Sequence, residues 1–342
     1  VESTHQRVEV TQLEDVGEAR RLVGTAACGL GLPHGVPELV ATELATNLLS
    51  YGGGGELLFR QVPAGIEIIA LDRGKGILDT QLAVMTEVHE SPDPTRRYPS
   101  DAGLGVGLAG VRRMSSAFDI HSKVGEGTAV LSRILLAEPA VGADFSVGGV
   151  SVPGPGESVC GDGWECVDDE RFVVLIVDGL GHGPEARKAA VAAVSALGVG
   201  SVRLNSYMHR ANDAMQPTRG AVVGICAIDR GAGYLAYAGL GNISGRIISN
   251  GTSQSMITRD GVVGTELTPR NFTVLRYPWS PGATLVLCTD GVRSGWDPRA
   301  DPSLLGHDPS VVAAVIYRDG ARGTDDATVV VIHDGRTTLQ AA

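Results

Sequence analysis

Between residues 36 and 51, VPELVATELATNLLSY, apolar side chains recur every four positions at Val36, Val40, Leu44 and Leu48, which draws one stripe down a helix. A second helical pattern covers 15–29, DVGEARRLVGTAACG. The period then changes. Residues 56–62 (ELLFRQV) and 65–71 (GIEIIAL) read as two strands joined through a Pro-Ala turn. A polar, proline-containing stretch at 87–102 (EVHESPDPTRRYPSDA) reads as a long loop, followed by a helix over 106–116 and two strands within 118–136. Periodicity breaks in AEPAVGADFSVGG, and a domain boundary is expected within 138–146. Short strands dominate from there on, at 147–153, 171–177, 221–229, 232–239, 243–249, 283–289 and 327–333, with helical patterns at 184–197, 202–215 and 309–318. Strands interrupted by a few helices predict an α+β protein whose second domain is a sheet sandwich with helices packed outside.

Composition narrows the function classes. A chain of 342 residues, 43% hydrophobic, exceeds one ordinary core and implies two domains. The net charge is −11, and it is evenly spread: residues 1–138 hold 18 Asp and Glu against 12 Lys and Arg, leaving 21 against 16 for the remainder. No basic domain is hidden in either half, so a nucleic-acid partner is not expected. Five cysteines without CxxC spacing indicate neither a disulfide framework nor a zinc ribbon. No apolar run approaches the ~18 residues of a membrane span, and the polar start VESTHQRVEV lacks a signal-peptide profile, so a cytoplasmic protein without membrane contact is expected.

In ELATN, Glu43 and Asn47 lie four residues apart and share a helix face that is not the apolar one. A carboxylate can deprotonate a hydroxyl nucleophile, and an amide oxygen one turn away suits Mg²⁺. Taken alone, the pair more often describes a solvated helix face. Two further segments change the weighing. In ALDRGKGI, Asp72 ends an apolar strand and is followed by Gly74 and Gly76, where backbone can approach a flat ligand. In GLGVGL, Gly103, Gly105 and Gly107 directly precede a helix, where free N–H groups and the helix dipole attract phosphate.

ELATN, DRGKG, GLGVGL and the closing GEGTAV together resemble the nucleotide boxes of the GHKL ATPases, and most resemble the RsbT-type serine kinases, which phosphorylate STAS-domain proteins. The likeness spans residues 7–136. It implies a Bergerat α/β sandwich over 1–138 that binds ATP with Mg²⁺, with 87–102 as its lid. On the same ground Glu43 is the general base, Asn47 the Mg²⁺ ligand, Asp72 the adenine contact and Thr128 an adenine-side hydrogen bond. Gly103, Gly105 and Gly107 form the phosphate loop, while Gly74 and Gly76 flank the base.

The second half carries aspartates at strand ends: Asp162 in GDGW, Asp178 in VDGLGHG, Asp290 in CTDGV, and Asp325 and Asp326 in DDATVVVI. Asp-Gly is a common turn, and any one of these is ordinary by itself. Several carboxylates converging at strand ends repel one another unless cations neutralise them, and all-oxygen ligation favours Mg²⁺ or Mn²⁺ over zinc. Two such ions, about 3.5 to 4 Å apart, can activate water for in-line attack on a phosphate ester without a side-chain nucleophile.

The set GDGW, VDGLGHG, RGAVVGICAID, YAGLGN, CTDG and DDATVVV resembles PPM-type Ser/Thr phosphatases of the SpoIIE branch, the small RsbX-like members above all, over 147–334. That likeness implies a β-sandwich flanked by helices over 147–336, joined to the first domain by a linker at 139–146 and ending in a tail at 337–342. It makes Asp178 the catalytic aspartate bridging both metals, the Gly179 carbonyl and Asp162 ligands of one ion, and Asp290 and Asp325 ligands of the other. His182 reads as a structural or supporting residue. The combined expectation is a phosphatase of phosphorylated STAS-domain proteins, of anti-anti-sigma or stressosome type, joined to a serine-kinase-like ATP domain. The alternative is a non-catalytic, nucleotide-dependent module that sequesters a regulator such as a sigma factor.

Overall fold

The computed structural model describes residues 4–85, 107–137, 144–198, 202–265, 271–297 and 300–336. The chain divides into two compact units, Val1–Val141 and Gly142–Ala342.

The first unit is one antiparallel sheet with helices on a face. Its strands are β1 (Gln6–Val10), β2 (Gly55–Val62), β3 (Gly65–Leu71), β4 (Ala117–Lys123) and β5 (Gly127–Leu135), in spatial order β1-β2-β3-β5-β4. The helices are α1 (Leu13–Ala27), α2 (Val36–Asn47), the short α3 (Thr80–Met85) and α4 (Gly107–Met114). Helix α1 begins two residues earlier than its apolar pattern because the Asp15 side chain accepts the amides of Thr11 (2.8 Å) and Gln12 (3.0 Å), capping the free N–H groups of its first turn. Helix α2 passes into a single π turn over Leu48–Gly52 before Gly53, with φ 73°, ends it. Strand alternation sets the core: Ile66, Ile68 and Ala70 of β3 pack with Val40, Leu44 and Leu48 of α2.

On the other face of β3, Glu67 is completely buried between Arg60 of β2 and Arg133 of β5, its cross-strand neighbours. Arg60 Nε reaches Oε1 at 2.8 Å, Arg133 Nε reaches Oε2 at 2.7 Å and His5 Nε2 lies 3.4 Å from Oε1. Burial alone would raise this carboxyl, but Arg60, His5 and Arg133 outweigh it and hold the group well below its usual range. Glu67→Ala would leave two guanidinium groups without their anion. It is expected to destabilise the unit by about 3–5 kcal/mol in urea unfolding, and a loss under about 1 kcal/mol would refute the ion cluster as a keystone.

The second unit is a two-sheet sandwich. One sheet holds β7 (Asp162–Asp168), β8 (Phe172–Gly179), β9 (Ala221–Asp229), β10 (Tyr234–Leu240) and β13 (Leu275–Pro278), ordered β13-β10-β9-β8-β7. The other holds β6 (Phe145–Val152), β11 (Ser244–Ser249), β12 (Thr252–Ser255), β14 (Thr284–Cys288) and β15 (Ala327–Asp334), ordered β12-β11-β14-β15-β6. Phe172, Val174 and Ile176 of β8 meet Leu285, Leu287, Val330 and Ile332 between the sheets. The intervening Val173, Leu175 and Val177 face helices α5 (Gly183–Ser195) and α6 (Leu204–Met215). Helix α7 (Pro309–Gly320) covers β6 and β15 from the other side. The central strands β8, β9, β14 and β15 are therefore buried on both faces, and the aspartates of this unit collect at strand ends.

Candidate metal centre and nucleotide site

The second unit gathers its aspartates at one end of the sandwich. Register places Asp162 at the start of β7 directly opposite Asp178 near the end of β8. Beyond β14 come Thr289 and Asp290, and just ahead of β15 stand Asp325 and Asp326, with β14 and β15 paired as neighbours. Thr289 ties the two sheets together: its Oγ1 donates to Asp162 Oδ2 at 2.8 Å and accepts the Thr328 amide at 2.9 Å.

The five carboxylates grade from pinned to open. Asp326 is buried, and its two oxygens accept the amides of Gly154 (2.7 Å) and Gly161 (2.8 Å). Asp162 is 1% exposed. Asp178 and Asp290 are half-buried and Asp325 is exposed. Asn242 Nδ2 donates to Asp290 Oδ2 at 2.6 Å, and Asp325 Oδ1 accepts the Asp326 amide at 2.9 Å. Burial, then the charges of Asp162, Asp290, Asp325 and Asp326, push the Asp178 carboxyl up to about 9. Burial is also the main cause that lifts Asp162 to about 7, against the hydrogen bonds from Thr289 and Thr328.

Gly179 allows this packing. A Cβ there would lie 2.2 Å from the Ala186 carbonyl oxygen and 2.9 Å from that of Gly161, so β8 and α5 could not approach with any larger residue. His182, at the N-terminus of α5, points its Nδ1 to Glu157 Oε1 at 2.5 Å. That partner fixes the loop.

Among the described residues, no three His, Cys, Asp or Glu side chains are gathered tightly enough to enclose an ion as they stand. The donor set nevertheless suits hard divalent cations: it is all oxygen, with three carboxylates on the open side whose mutual repulsion two cations would cancel. Of the four expected carboxylate ligands, Asp178 and Asp290 are half-buried, Asp325 is exposed and Asp162 is buried against Thr289, while Asp326 is engaged by the Gly154 and Gly161 amides. Of the supporting groups, Asp326 stands in DDATVVVI and Asn242 in YAGLGN, neither with a role legible from sequence, while Thr289 and Glu157 carry no signal of their own.

In the first unit, Glu43 and Asn47 do not lie on a solvated face. Helix α2 is buried almost all round, and Glu43 is 2% exposed. Its Oε2 accepts the Gly107 amide, the first of α4, at 3.3 Å, while its Oε1 and the Asn47 Nδ2 are buried with no hydrogen-bond partner among the described residues. Asp72 follows β3, and its Oδ1 accepts the amides of Gly74 (2.8 Å) and Thr128 (3.2 Å). The Thr128 hydroxyl in turn meets Ser122 Oγ at 2.8 Å. Gly76 adopts φ 70° against the Lys123 carbonyl. The end of α2 closes on this cluster, since a Cβ at Gly52 would sit 2.7 Å from the Asp72 Cβ. Gly103 and Gly105, with the expected lid at 87–102, lie outside the described residues. Two orphaned buried polar atoms on one helix face, beside a helix N-terminus, are what a nucleotide phosphate with its Mg²⁺ would satisfy.

Residues 168–333 match the SpoIIE family, Stage II sporulation protein E. Serine/threonine-protein kinase RsbT of Bacillus subtilis (strain 168) is 34% identical over 123 residues, 34% of this chain and 85% of that protein. Phosphoserine phosphatase RsbX of the same organism is 26% identical over 140 residues, 40% of this chain and 69% of that protein. A structure described under the bacterial stressosome as a modular system controlling secondary messenger signalling superposes with TM-score 0.50 at 26% identity, over 56% of this chain and all of that one. A crystal structure of RsbX in complex with magnesium covers 55% of this chain and 94% of its own at 24% identity and TM-score 0.48. Among the described residues, no helix is long and apolar enough to cross a membrane.

Proposed function

This chain is a Ser/Thr protein phosphatase of the SpoIIE family and belongs, through its RsbT-like stretch, to the family of that kinase; on this premise we propose that it resets phosphorylated STAS-domain partners in a partner-switching pathway. The observation that carries the reading is the set of five aspartates at one end of the sandwich, in which Asp178 is surrounded by four like charges. Two Mn²⁺ or Mg²⁺ ions held by Asp162, Asp178, the Gly179 carbonyl, Asp290 and Asp325 would supply Lewis-acid activation of water and phosphate. The chain's own groups prepare the site: Thr289 and the Gly154 and Gly161 amides fix the inner carboxylates, and Asn242 orients Asp290. No side-chain nucleophile takes part. Cys160, Cys226 and Cys288 are buried, and burial holds their thiols protonated.

The first unit, in this reading, is a Bergerat-type ATP domain. Glu43 takes the proton from a serine hydroxyl, Asn47 binds Mg²⁺, Asp72 and Thr128 receive adenine, and Gly103, Gly105 and Gly107 take the phosphates. Kinase and phosphatase on one chain avoid idle ATP hydrolysis when they act on different partner serines. The test is phosphate release from a phosphoserine STAS protein in excess Mn²⁺ or in EDTA, each with and without ATP. Release that requires the divalent ion supports the proposal; no release under any condition rejects it.

A further inference from the structure

Beside the aspartate cluster lies a cavity of about 330 Å³ whose walls include Asn242, Ser244, Arg246, Met256, Ser294 and Trp296. Its origin is in the topology. Strand β11 runs between β14 and the edge strand β12, and Ile247 packs into the sandwich core, so the neighbouring Arg246 side chain leaves the strand on the opposite face. There the guanidinium lies over the Trp296 indole, 5.2 Å from its centroid. Its hydrogen bonds are long and to neutral groups: Nη1 to Ser253 Oγ and Nη2 to the Ser294 carbonyl, both 3.4 Å.

Acceptors are plentiful in this chain, with 39 Asp and Glu against 28 Lys and Arg. Arg60, Arg133, Arg230 and Arg336 each pair with carboxylates. Arg246 pairs with none among the described residues, although it is half-buried and lies over an aromatic ring. A partly desolvated guanidinium presented to a cavity is a preorganised anion site. The cavity also shares a wall with the proposed reaction centre, because Asn242 lines it while donating to Asp290 at 2.6 Å. An extended peptide that offers its phosphoryl group to the aspartates would place a residue a few positions away, at about 3.3 Å per residue, in this cavity.

We propose that the cavity is a specificity subsite for an acidic side chain flanking the phosphorylated residue of the substrate protein, with Arg246 making the ion pair and Trp296 and Met256 enclosing the methylenes. The inference rests on the phosphoprotein phosphatase reading. It is tested with phosphoserine peptides carrying Glu, Gln or Lys at each of the three positions on either side, hydrolysed in Mn²⁺ by the full chain. At one position Glu should raise kcat/KM over Gln by about tenfold, the range of one well-placed, partly buried ion pair. In Arg246→Met that ratio should fall to about one, Arg246→Lys should keep its direction, and Arg246→Glu should turn the preference toward Lys. Thermal melts establish that each variant is folded, and the wild-type peptide series stands even if one is not. Equal rates for all peptides with wild-type protein, or a Glu-to-Gln ratio unchanged in folded Arg246→Met, overturn the subsite while leaving the phosphatase reading intact. Failure to hydrolyse any peptide overturns both.

Discussion

Asp178→Asn should lower phosphatase turnover by at least about a thousandfold, equivalent to about 4 kcal/mol of transition-state stabilisation, and at the same time make the metal-free protein more stable. Both effects have one cause. Asp178 is packed at a strand end with four other carboxylates, so its ionised form is disfavoured first by burial and then by their charges. Its carboxyl is pushed up to about 9 in the folded chain, against about 3.9 when unfolded. Between these values the folded state binds more protons than the unfolded one, so metal-free stability falls as pH rises from about 4 to about 9. A neutral amide of the same shape removes that burden. At pH 8 without divalent ions the variant should melt about 2–12 °C higher, as expected for relief of about 1–3 kcal/mol in a unit of this size, and its stability should depend less on pH. The melting shift produced by Mn²⁺ in wild type should shrink in the variant, because the ions lose the ligand proposed to bridge them. Calorimetry with and without Mn²⁺ reads all three quantities. A variant that melts lower than wild type in EDTA and still responds fully to Mn²⁺ would place Asp178 outside the ion site.

How much of this was legible beforehand depended on where each group sits in its sheet. The central strands, such as β3, β8, β9, β14 and β15, are buried on both faces and announced themselves as apolar runs. The strands that the hydrophobic pattern passed over, β1, β7, β12 and β13, are all at sheet edges. An edge strand pairs on one side only and carries polar residues, as in TSQS of β12 and DGWECVD of β7, which leaves little periodicity to read. Helix α3 buries no side chain fully, only Val84 leaning on the core, and six residues leave little pattern to read. Asp178 and Asp290 are visible because an apolar run ends in Asp-Gly, and Asp325 and Asp326 because they precede one. Their braces are not: Thr289 acts across the two sheets, and the Gly154 and Gly161 amides reach Asp326 from positions 172 and 165 residues away. Only the fold brings such partners together. Glu43 shows the converse. Its spacing from Asn47 fitted a solvated face as well as a site, and only its burial separates the two readings.

That burial makes Glu43→Gln the sharpest probe of the first unit. A carboxylate that is 2% exposed, with Oε2 at 3.3 Å from one amide and Oε1 unpartnered among the described residues, is poorly satisfied by the protein alone. Such a group costs about 1–3 kcal/mol of folding free energy, so its presence at the N-terminus of α4 calls for a compensating use. On the proposed reading, that use is abstraction of a proton from a hydroxyl nucleophile beside a bound nucleotide. With glutamine the shape and the hydrogen bond to Gly107 can persist, so ATP affinity should stay within about threefold while phosphorylation of a partner serine falls by about 10²–10⁴-fold, the range of general-base catalysis. The substituted unit should be no less stable than wild type in urea, since a neutral amide is easier to bury than a half-satisfied carboxylate. Nucleotide titration calorimetry gives the affinity and mass spectrometry of the partner gives the phosphate. Undiminished phosphorylation with intact ATP binding would remove Glu43 from the chemistry, whereas a parallel loss of both would assign it to holding the nucleotide instead of activating the hydroxyl.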